Sequence, residues 1–464
     1  MPTIAESLTT KSLRVIAVVS LIFALVSAVT AGEQSAVRVD PVARPLREWV
    51  RANLHPLQGV DLNAPYTDLE PLRTMIGERH IVAYGEGLHG AAEPLDFRNR
   101  LFRFLVERMG FTAIAIESGS YEGFGVNEYV LGATGELQTV VEKGFSFGFN
   151  RLPQESALVR WMRDYNANPR HARKLQFFGF DAPAGPGPLN SALLEALRYL
   201  ERVDAAAAAG LHRRIDELVG KMSYVRFGEP RDQYAELTQA QRDQLTGAVQ
   251  DLLALLRMRE AEFITATSQK DYDRAFRTAI AAQQVDGYLR RVPIGWTPAQ
   301  GAAGMQDAVA FSDRIKAENI ESIRAQLGPQ AKLLIFAHRG HIAAPPTTIF
   351  FQGRSFVLPP MMGSYLHRRL GNDWLRIGNF FGQDDSNCGT SNPLPAADSF
   401  ESHLAAAQVP NFLLDLRGAP PEIRAWIKES RQLYGPGPPN TYSIGQAFDV
   451  IVYTGRVRPS PPCN

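Results

Sequence analysis

The sequence has very little cysteine: Cys388 and Cys463 are the only two among its 464 residues. Both lie near the C-terminal end and far from any predicted strand end, so a cysteine nucleophile has little support. Serine-nucleophile chemistry has equally little support, because no G-x-S-x-G elbow stands at a predicted strand-to-helix turn. Two interpretations of the cysteines stay open, a disulfide that ties down the tail or two separate thiols, since the sequence does not show how close they are.

A strong net charge is also missing. The chain has 49 basic and 48 acidic residues, and a formal net charge of +1. Residues 1–31 carry that single excess positive charge, which leaves about zero for the rest. Such a chain has no electrostatic footprint for nucleic acid or for an anionic membrane surface. We therefore expect neither nucleic acid nor a stable membrane partner.

Long apolar runs are absent except near the start of the chain. Lys11 and Arg14 precede the uncharged run 15–29, and the segment closes with the residues Val29-Thr30-Ala31. This pattern predicts a secretory signal at 1–31, cleaved after Ala31. The run is shorter than the roughly 20 residues of a membrane span, so an uncleaved anchor is the weaker alternative. We expect a periplasmic or secreted protein.

Short apolar runs alternate with helical patterns through much of the chain. The run 81–84 is followed by a polar loop, by a helix over 94–109 and by a second strand over 112–116. The other predicted strands are 175–180, 332–337, 411–416 and 448–453. This alternation predicts an α/β fold with a central, largely parallel sheet flanked by helices.

The domain plan follows from a change of character in the middle of the chain. A segment rich in proline, glycine and alanine, 182–188, precedes about a hundred residues in which only helices are predicted. We interpret 188–291 as an all-helical insertion that separates a first part of the α/β core, 32–187, from a second part, 292–464.

The insertion contains a clear helix start. Thr238 followed by Gln241 predicts a capping box, in which each residue bonds the other's backbone. The helix behind it has an apolar stripe that fits core packing better than a cofactor site. The stripe consists of Leu245, Val249, Leu252 and Leu256.

Ionisable side chains follow four of the predicted strands. They are Glu86 and His89, then Glu117, then Asp181, and finally His338 and His341. A parallel sheet brings the carboxyl ends of its strands to one edge, so we expect these side chains to meet in one cleft. Ionisable groups in one cleft perturb each other's pKa values, which is a mark of functional sites.

Histidines flanked by carboxylates suit general-base activation of water. The carboxylate fixes the imidazole tautomer and stabilises the imidazolium as it forms. Arg98, nine residues after His89, has three open roles: it faces developing negative charge, holds a carboxylate or forms a structural ion pair. The same histidines and carboxylates could instead ligate a metal, although no His-Glu-x-x-His motif is present.

Six motifs of this chain occur together in one known family. They are Gly85-Glu86-Gly87-Leu88-His89-Gly90 with Glu93 and Arg98 behind it, Ala115-Ile116-Glu117, Gly179-Phe180-Asp181, Ala337-His338-Arg339-Gly340-His341, Met362-Gly363-Ser364, and Leu414-Asp415-Leu416-Arg417. In these motifs and in their order the chain resembles the erythromycin esterase family. The motifs span most of the chain after residue 31, and they are specific as a set although no single one is.

The resemblance implies hydrolysis of a macrolide-like lactone or another ester, by water activated at His89, with neither metal nor cofactor. Resistance to a macrolide antibiotic is the corresponding biological role. The resemblance implies that the active-site positions are His89, Glu86, Glu117, His338, His341 and Arg98. We expect three further residues to contact the substrate, namely Asp181, Arg339 and Glu93.

Two departures from the family pattern bear on the substrate. Leu88 stands where the first motif usually has Thr, and Arg339 stands where Asn usually separates the two histidines. An added cation and a lost hydroxyl beside the site would change what is bound. The resemblance therefore supports the class of reaction better than it supports the substrate.

Two alternatives use the same residues differently. One is a metal-dependent hydrolase with the metal held among the histidines and glutamates. The other is an exported binding protein that holds a polar natural product without turning it over. The metal content of the purified protein distinguishes the first alternative from a metal-independent hydrolase. Recovery of a bound ligand in intact form distinguishes the second alternative from any hydrolase.

Overall fold

The computed structural model describes residues 41–463 except 61, 63, 184–188, 223–232, 297–299, 301, 352–353, 389–391 and 436–439. The predicted signal at 1–31 lies outside these residues. Within the described part of the chain, no helix is both long enough and apolar enough to cross a membrane.

The chain folds into two compact units. Of the described residues, the first unit comprises those up to 116, those within 151–176 and those from 321 onward, and the second comprises those within 117–150 and 177–320. The segment predicted as a helical insertion falls within the second unit.

The strands of the described residues are numbered in chain order. They are β1 (His55–Pro56), β2 (Ile81–Glu86), β3 (Ala113–Gly119), β4 (Gln176–Asp181), β5 (Leu333–His338), β6 (Thr348–Phe351), β7 (Arg354–Val357), β8 (Trp374–Asp384), β9 (Asn411–Asp415), β10 (Ser430–Gln432), β11 (Asn440–Ser443) and β12 (Val450–Val457). Four of them, β2, β3, β5 and β8, are almost completely buried, as expected for strands covered on both faces.

The helices of the described residues are numbered in the same way. They are α1 (Ala43–Asn53), α2 (Pro71–Ile76), α3 (Ala92–Met109), α4 (Glu122–Val130), α5 (Leu137–Gly144), α6 (Pro153–Ala167), α7 (Ser191–Val203), α8 (Ala205–Val219), α9 (Gln239–Met258), α10 (Glu260–Ala266), α11 (Gln269–Leu289), α12 (Gln306–Leu327), α13 (Arg339–Ile342), α14 (Met362–Leu370), α15 (Phe400–Ala405), α16 (Pro421–Lys428) and α17 (Ile444–Ala447).

The main sheet has eight strands in the order β1-β9-β12-β8-β2-β5-β3-β4, and a smaller sheet has the order β10-β11-β6-β7. The pairs β12/β8, β8/β2, β2/β5 and β5/β3 are parallel, whereas β9 runs antiparallel to β12 and to β1. The predicted α/β fold with a largely parallel central sheet and a helical segment is therefore confirmed.

The register of β2 and β5 joins two distant parts of the sequence. Ile81 lies opposite Leu333, and the pairing continues until Glu86 lies opposite His338. Both strands therefore end at the same level of the sheet. The polar loops after β2 and after β5 start side by side, although about 250 residues separate them in the chain.

Strand β8 was not predicted from the sequence, although it lies between β2 and β12 near the middle of the sheet. Its apolar pattern is interrupted by polar residues that are satisfied only through tertiary contacts. Arg376 pairs with Asp449 at 3.0 Å, and the Asn379 side-chain amide donates to Val452 O at 3.3 Å and to Thr454 Oγ1 at 3.1 Å. A single-sequence pattern does not reveal such partners.

The second unit has an all-helical core over α7–α11, and the predicted helix start lies within it. The Gln241 N–H donates to Thr238 Oγ1 at 3.2 Å, and the Thr238 N–H donates to Gln241 Oε1 at 2.9 Å. The predicted capping box is therefore confirmed. The stripe behind it is buried, as expected, at Leu245, Val249, Leu252 and Leu256.

The two cysteines form a disulfide between the loop after β8 and the C-terminal tail. The Cα atoms of Cys388 and Cys463 lie 5.6 Å apart, and the bond closes a loop of 75 residues. The first of the two interpretations left open by the sequence is therefore the one found.

Thr238→Ala removes the side-chain acceptor at the start of α9. Loss of such a cap costs about 1 kcal/mol of local stability. We expect amide exchange in the first turn of α9 to accelerate roughly fivefold, measured by hydrogen–deuterium exchange and mass spectrometry. Thr265→Ala is the matched control, because its hydroxyl donates only to Ala261 O within α10. Unchanged exchange in the Thr238 variant would contradict the cap's role.

Candidate active site

The loop after β2, residues 86–93, carries the most chemically active pair of the first unit. Glu86 ends β2 and is completely buried, whereas the His89 side chain is 51% exposed. His89 Nδ1–H donates to Glu86 Oε1 at 2.6 Å. This bond orients the ring and leaves Nε2 as its basic nitrogen. A half-exposed imidazole held by a buried carboxylate is the arrangement that general-base catalysis requires.

Glycine is required on both sides of Glu86 because other chain segments approach the backbone closely. A Cβ atom at Gly85 would lie 2.7 Å from Arg339 Cα, and one at Gly87 would lie 2.9 Å from Asn379 O. Both distances are below any normal contact. The Gly-Glu-Gly part of the motif therefore reflects packing of the loop against α13 and β8.

His338 and His341 lie beside this loop, at the end of β5 and within α13. The Gly340 N–H donates to His338 Nδ1 at 3.2 Å, so the neutral ring carries its proton on Nε2. The His338 ring centroid lies 5.0 Å from that of His89 and 6.5 Å from that of His341. The structure thus gathers the three predicted histidines in one place. The His89 ring can accept a proton at Nε2, and the neighbouring His338 ring, when neutral, can donate a hydrogen bond from its Nε2.

Arg98, on α3, is completely buried beneath this loop. Its Nη1 donates to Glu155 Oε1 at 2.7 Å, and neither side chain has any exposed surface. Its Nε and Nη2 donate to Asn99 Oδ1 at 3.0 and 2.8 Å, and the guanidinium stacks 4.7 Å above the Phe336 ring. Of the roles the sequence left open, this placement fits holding a carboxylate.

Glu93 was expected to contact substrate, but its placement indicates an anchoring role. Its carboxylate is 7% exposed and accepts from the Arg458 N–H at 2.7 Å and from Arg458 Nε at 2.6 Å. The Ala92 N–H donates to Arg458 O at 2.8 Å, and the Ser460 N–H donates to Gly90 O at 2.7 Å. The C-terminal tail therefore holds the His89 loop from behind.

Arg339 was also expected to contact substrate, and its side chain instead points into the protein. It is 3% exposed, and it donates from Nη1 to Asn379 O at 3.0 Å and from Nη2 to Tyr434 O at 2.9 Å. Burial raises the pKa of the Glu401 carboxyl, and the Arg339 charge opposes that rise. This placement differs from the expected contact with substrate. Arg339 instead links β8, at Asn379, to the segment that contains Tyr434.

Leu88 is the other departure from the family pattern, and its side chain makes apolar contacts in place of a hydrogen bond. Together with Tyr434 it covers a small apolar cluster formed by Ala91, Phe381 and Val457. The hydroxyl that the family usually has at this position is therefore replaced by an apolar contact that holds the loop against β8 and β12.

The second unit holds Glu117, Asp181 and a residue that the sequence did not single out, Lys316. Lys316 Nζ lies 3.1 Å from Asp181 Oδ2 and donates to Ser312 Oγ at 2.7 Å. Burial lowers the pKa of the ammonium, but the carboxylates raise it more, so the result lies above the usual lysine pKa. The carboxylates are those of Asp181, Asp313 and Glu117. Asp181 is thus an ion-pair partner of a protonated lysine.

A G-x-S-x-G match does occur at 144–148, but its structure excludes a nucleophile elbow. Ser146 follows α5 rather than a strand and is completely buried. Its Oγ accepts the Gly119 N–H at 3.0 Å, and its own N–H donates to Ser118 Oγ at 2.8 Å. Ser146 is a structural residue that ties α5 to the end of β3.

The described part of the chain contains no group of three or more His, Cys, Asp or Glu side chains arranged to hold a metal ion. Glu86 and His338 instead meet hydrogen-bond partners at distances of 2.6 and 3.2 Å.

Sequence reasoning missed four residues of this arrangement: Glu155, Lys316, Asn379 and Arg458. Each of them reaches its site residue from an element far away in the chain. Glu155 lies 57 residues from Arg98, and Arg458 lies 365 residues from Glu93. Acidic residues near helix starts and basic residues near chain ends are usually exposed, so no local signal marked them.

Comparison with known proteins identifies the relatives of this chain. The family model described as erythromycin esterase matches residues 106–457. An erythromycin esterase type II of Escherichia coli is 27% identical over 337 residues, 71% of this chain and 76% of that protein. The type I enzyme of Escherichia coli is 24% identical over 407 residues, 83% of this chain and 93% of that protein. A solved structure of a mutant of the erythromycin esterase EreC, in its open conformation, is 19% identical, with a TM-score of 0.66 over 87% of this chain and 98% of that chain.

Lys316→Met should destabilise the second unit, because it leaves the buried Asp181 carboxylate without its cation. We expect the free energy of unfolding to fall by about 3–5 kcal/mol. Denaturant unfolding monitored by circular dichroism measures this loss. The raised pKa of Lys316 means that its contribution is present at neutral pH and is lost only above the ordinary lysine range.

The deficit of the Lys316 variant should shrink from about pH 8 to about pH 5, because Asp181, once it has lost the lysine charge, can then take up a proton. The matched control is Lys316→Met with Asp181→Asn, which removes both charges and should recover much of the loss. An equal deficit at both pH values would contradict an electrostatic cause.

Proposed function

Because the chain belongs to the erythromycin esterase family, we propose that it is an exported hydrolase that cleaves a carboxylic ester, and specifically a macrolide-like lactone, by water activated at His89. The family itself makes the chain a hydrolase of the macrolide esterase type. Ester specificity and the lactone substrate are supported by the names of the two relatives from Escherichia coli, both erythromycin esterases.

The observation that carries the mechanism is the 2.6 Å hydrogen bond from His89 Nδ1 to the buried Glu86 carboxylate. In the first step, Nε2 of His89 takes a proton from a water molecule as the water oxygen attacks the ester carbonyl carbon. The imidazolium that forms is stabilised by the negative charge of Glu86. The products of this step are a tetrahedral oxyanion and a protonated His89.

In the second step the tetrahedral intermediate collapses and the ester C–O bond breaks. The proton held by His89 passes to the leaving alkoxide, so the ester and water become a carboxylic acid and an alcohol. His338, whose neutral ring carries its proton on Nε2, suits donation to the oxyanion, since its ring lies 5.0 Å from that of His89.

The remaining predicted residues have supporting roles in this proposal. The His341 ring lies 6.5 Å from that of His338 and adds a third imidazole to the cluster. Arg98 acts from below the loop through its charge rather than by touching substrate, because it is completely buried. Glu117 remains a predicted catalytic residue on the strength of the family motif.

Export is supported by two independent features. Residues 1–31 carry the charge and hydrophobicity pattern of a cleaved signal. The bond between Cys388 and Cys463 fits an oxidising compartment such as the periplasm or the cell exterior.

Purified protein should hydrolyse at least one member of a panel of macrolides, simple lactones and simple esters. Turnover should persist in the presence of a chelator, because the proposed chemistry uses only side chains. His89→Ala should lower kcat/KM by about 10²–10⁴, the usual contribution of a general base. His55→Ala, at an exposed strand residue, is the control and should leave turnover unchanged.

Three results would overturn parts of this proposal. Unchanged turnover in His89→Ala removes the assigned base. Loss of turnover with chelator, restored by added metal, favours the metal-dependent hydrolase. Recovery of tightly bound ligand in intact form, after long incubation, favours a binding protein.

The export proposal predicts a new N-terminus. Protein isolated from the periplasm or the medium of a bacterial host should begin at Gly32, as read by mass spectrometry of its N-terminal peptide. Protein found only in the cytoplasm with residues 1–31 still attached would contradict it.

A further inference from the structure

Arg98 bonds one buried carboxylate, Glu155, and lies near the end of β2, which carries a second one, Glu86. The guanidinium is 4.7 Å from the Phe336 ring, and Phe336 lies opposite Tyr84, two residues before Glu86. Arg98 Nη1 donates to Glu155 Oε1 at 2.7 Å, whereas its other donors go to Asn99 Oδ1. Glu86, Arg98 and Glu155 all have no exposed surface. Two carboxyl groups and one guanidinium are therefore enclosed close to the His89 loop, in surroundings where screening by solvent is weak.

Three polar atoms in this enclosed group have no hydrogen-bond partner among the described residues. They are Tyr84 Oη, Glu86 Oε2 and Glu155 Oε2, and all are buried. Among the described residues, no donor bonds the second oxygen of Glu86. The effect of Glu86 on His89 then depends on the charges around it, and one cation of this buried group, Arg98, is bonded to Glu155.

The electrostatics of the group show that its members interact. Burial raises the pKa of Glu155, Arg98 lowers it through charge and hydrogen bonding, and the Glu86 charge raises it further. Burial and the Glu86 charge also raise the pKa of the Tyr84 phenol, while Arg98 opposes that rise. The Glu86 and Arg98 charges therefore both influence the protonation of Glu155.

We propose that Glu155 is a positioning residue for the His89 base: by pairing with Arg98 it keeps the guanidinium from neutralising Glu86, and it thereby sets the pH range over which His89 accepts a proton. This inference rests on the proposed function only in calling His89 a catalytic base. Glu155 touches neither the reacting atoms nor His89, and its effect passes through Arg98 and then Glu86.

Other charged and titratable groups adjoin the His89 loop and must be held constant in a test. They are His338 and His341 after β5, Glu93 and Asp96 at the start of α3, and Arg458 after β12. Glu93 and Arg458 neutralise each other at 2.6 Å. None of these groups changes in the variants described next.

The test measures proton uptake at His89 directly, without any substrate. Diethyl pyrocarbonate reacts with neutral imidazole, so the rate of His89 carbethoxylation against pH has its midpoint where the ring loses its proton. The 51% exposed ring is accessible to the reagent. Mass spectrometry of the tryptic peptide 80–98, or of 80–100 where Arg98 is replaced, localises the product, and His80 on the same peptide, paired with Asp373 at 2.8 Å, is an internal reference.

Glu155→Gln should move the His89 midpoint down by about one pH unit, because the uncompensated Arg98 charge then offsets Glu86. Arg98→Gln should move it up, because both carboxylates lose their cation. The double variant Arg98→Gln, Glu155→Gln removes one charge of each sign and should return the midpoint close to that of the unchanged protein. The His80 midpoint should stay constant throughout.

Asp164→Asn is the matched control, since Asp164 is an exposed carboxylate on the same helix as Glu155. It changes the net charge equally and should leave the His89 midpoint in place. A residue that merely supported the fold would lower the unfolding midpoint of the Glu155 variant without moving the His89 profile.

The proposal is overturned if Glu155→Gln is folded and its His89 midpoint equals that of the unchanged protein. It is also overturned if the two single variants shift the midpoint in the same direction. Should Glu155→Gln fail to fold, the Arg98 variant and the double variant decide: an upward shift that the second change reverses supports the proposal, and equal midpoints overturn it. If no ester is hydrolysed, the proposed function fails while these shifts still report on Glu155.

Discussion

Compensation of buried charge is the constraint on which the rest of the site depends. Glu86 has no exposed surface and bonds His89 at 2.6 Å, and Arg98 and Glu155, which are also without exposed surface, pair at 2.7 Å. Breaking one partner of such a pair would leave a bare charge in the interior, which costs about 3–5 kcal/mol. The same constraint governs Arg100, also on α3, which pairs with the buried Asp68 at 2.6 Å.

The sheet supplies the second requirement, which is alignment. Glu86 and His338 lie opposite each other in the register of β2 and β5, so a shift of one residue between these strands would separate the two imidazoles. Close approach of α13 to Gly85, with its Cβ position 2.7 Å from Arg339 Cα, fixes the height at which the loops leave the sheet. The mutual placement of the His89 and His338 rings is therefore a property of strand pairing.

The sequence could predict what local pattern determines: the strands 81–84 and 332–337, the capping box at Thr238, the parallel sheet and the gathering of His89, His338 and His341. It could not predict β8, because its polar residues are satisfied by partners that follow much later in the chain. The sequence also could not predict the direction in which individual side chains point. Arg339 points to carbonyl oxygens, Glu93 points to Arg458, and Glu155 was indistinguishable from an ordinary surface residue at a helix start.

The bonds between the tail and the His89 loop have a consequence for the timing of maturation. Arg458 and Ser460, which hold Gly90, Ala92 and Glu93, follow that loop by at least 365 residues in the chain. A nascent chain can form β2 and β5 long before it has the segment that fixes the loop between β2 and α3. The loop that carries His89 therefore gains these hydrogen bonds only after residues 458–460 have been made, and the bond between Cys388 and Cys463 then forms where an oxidant is present.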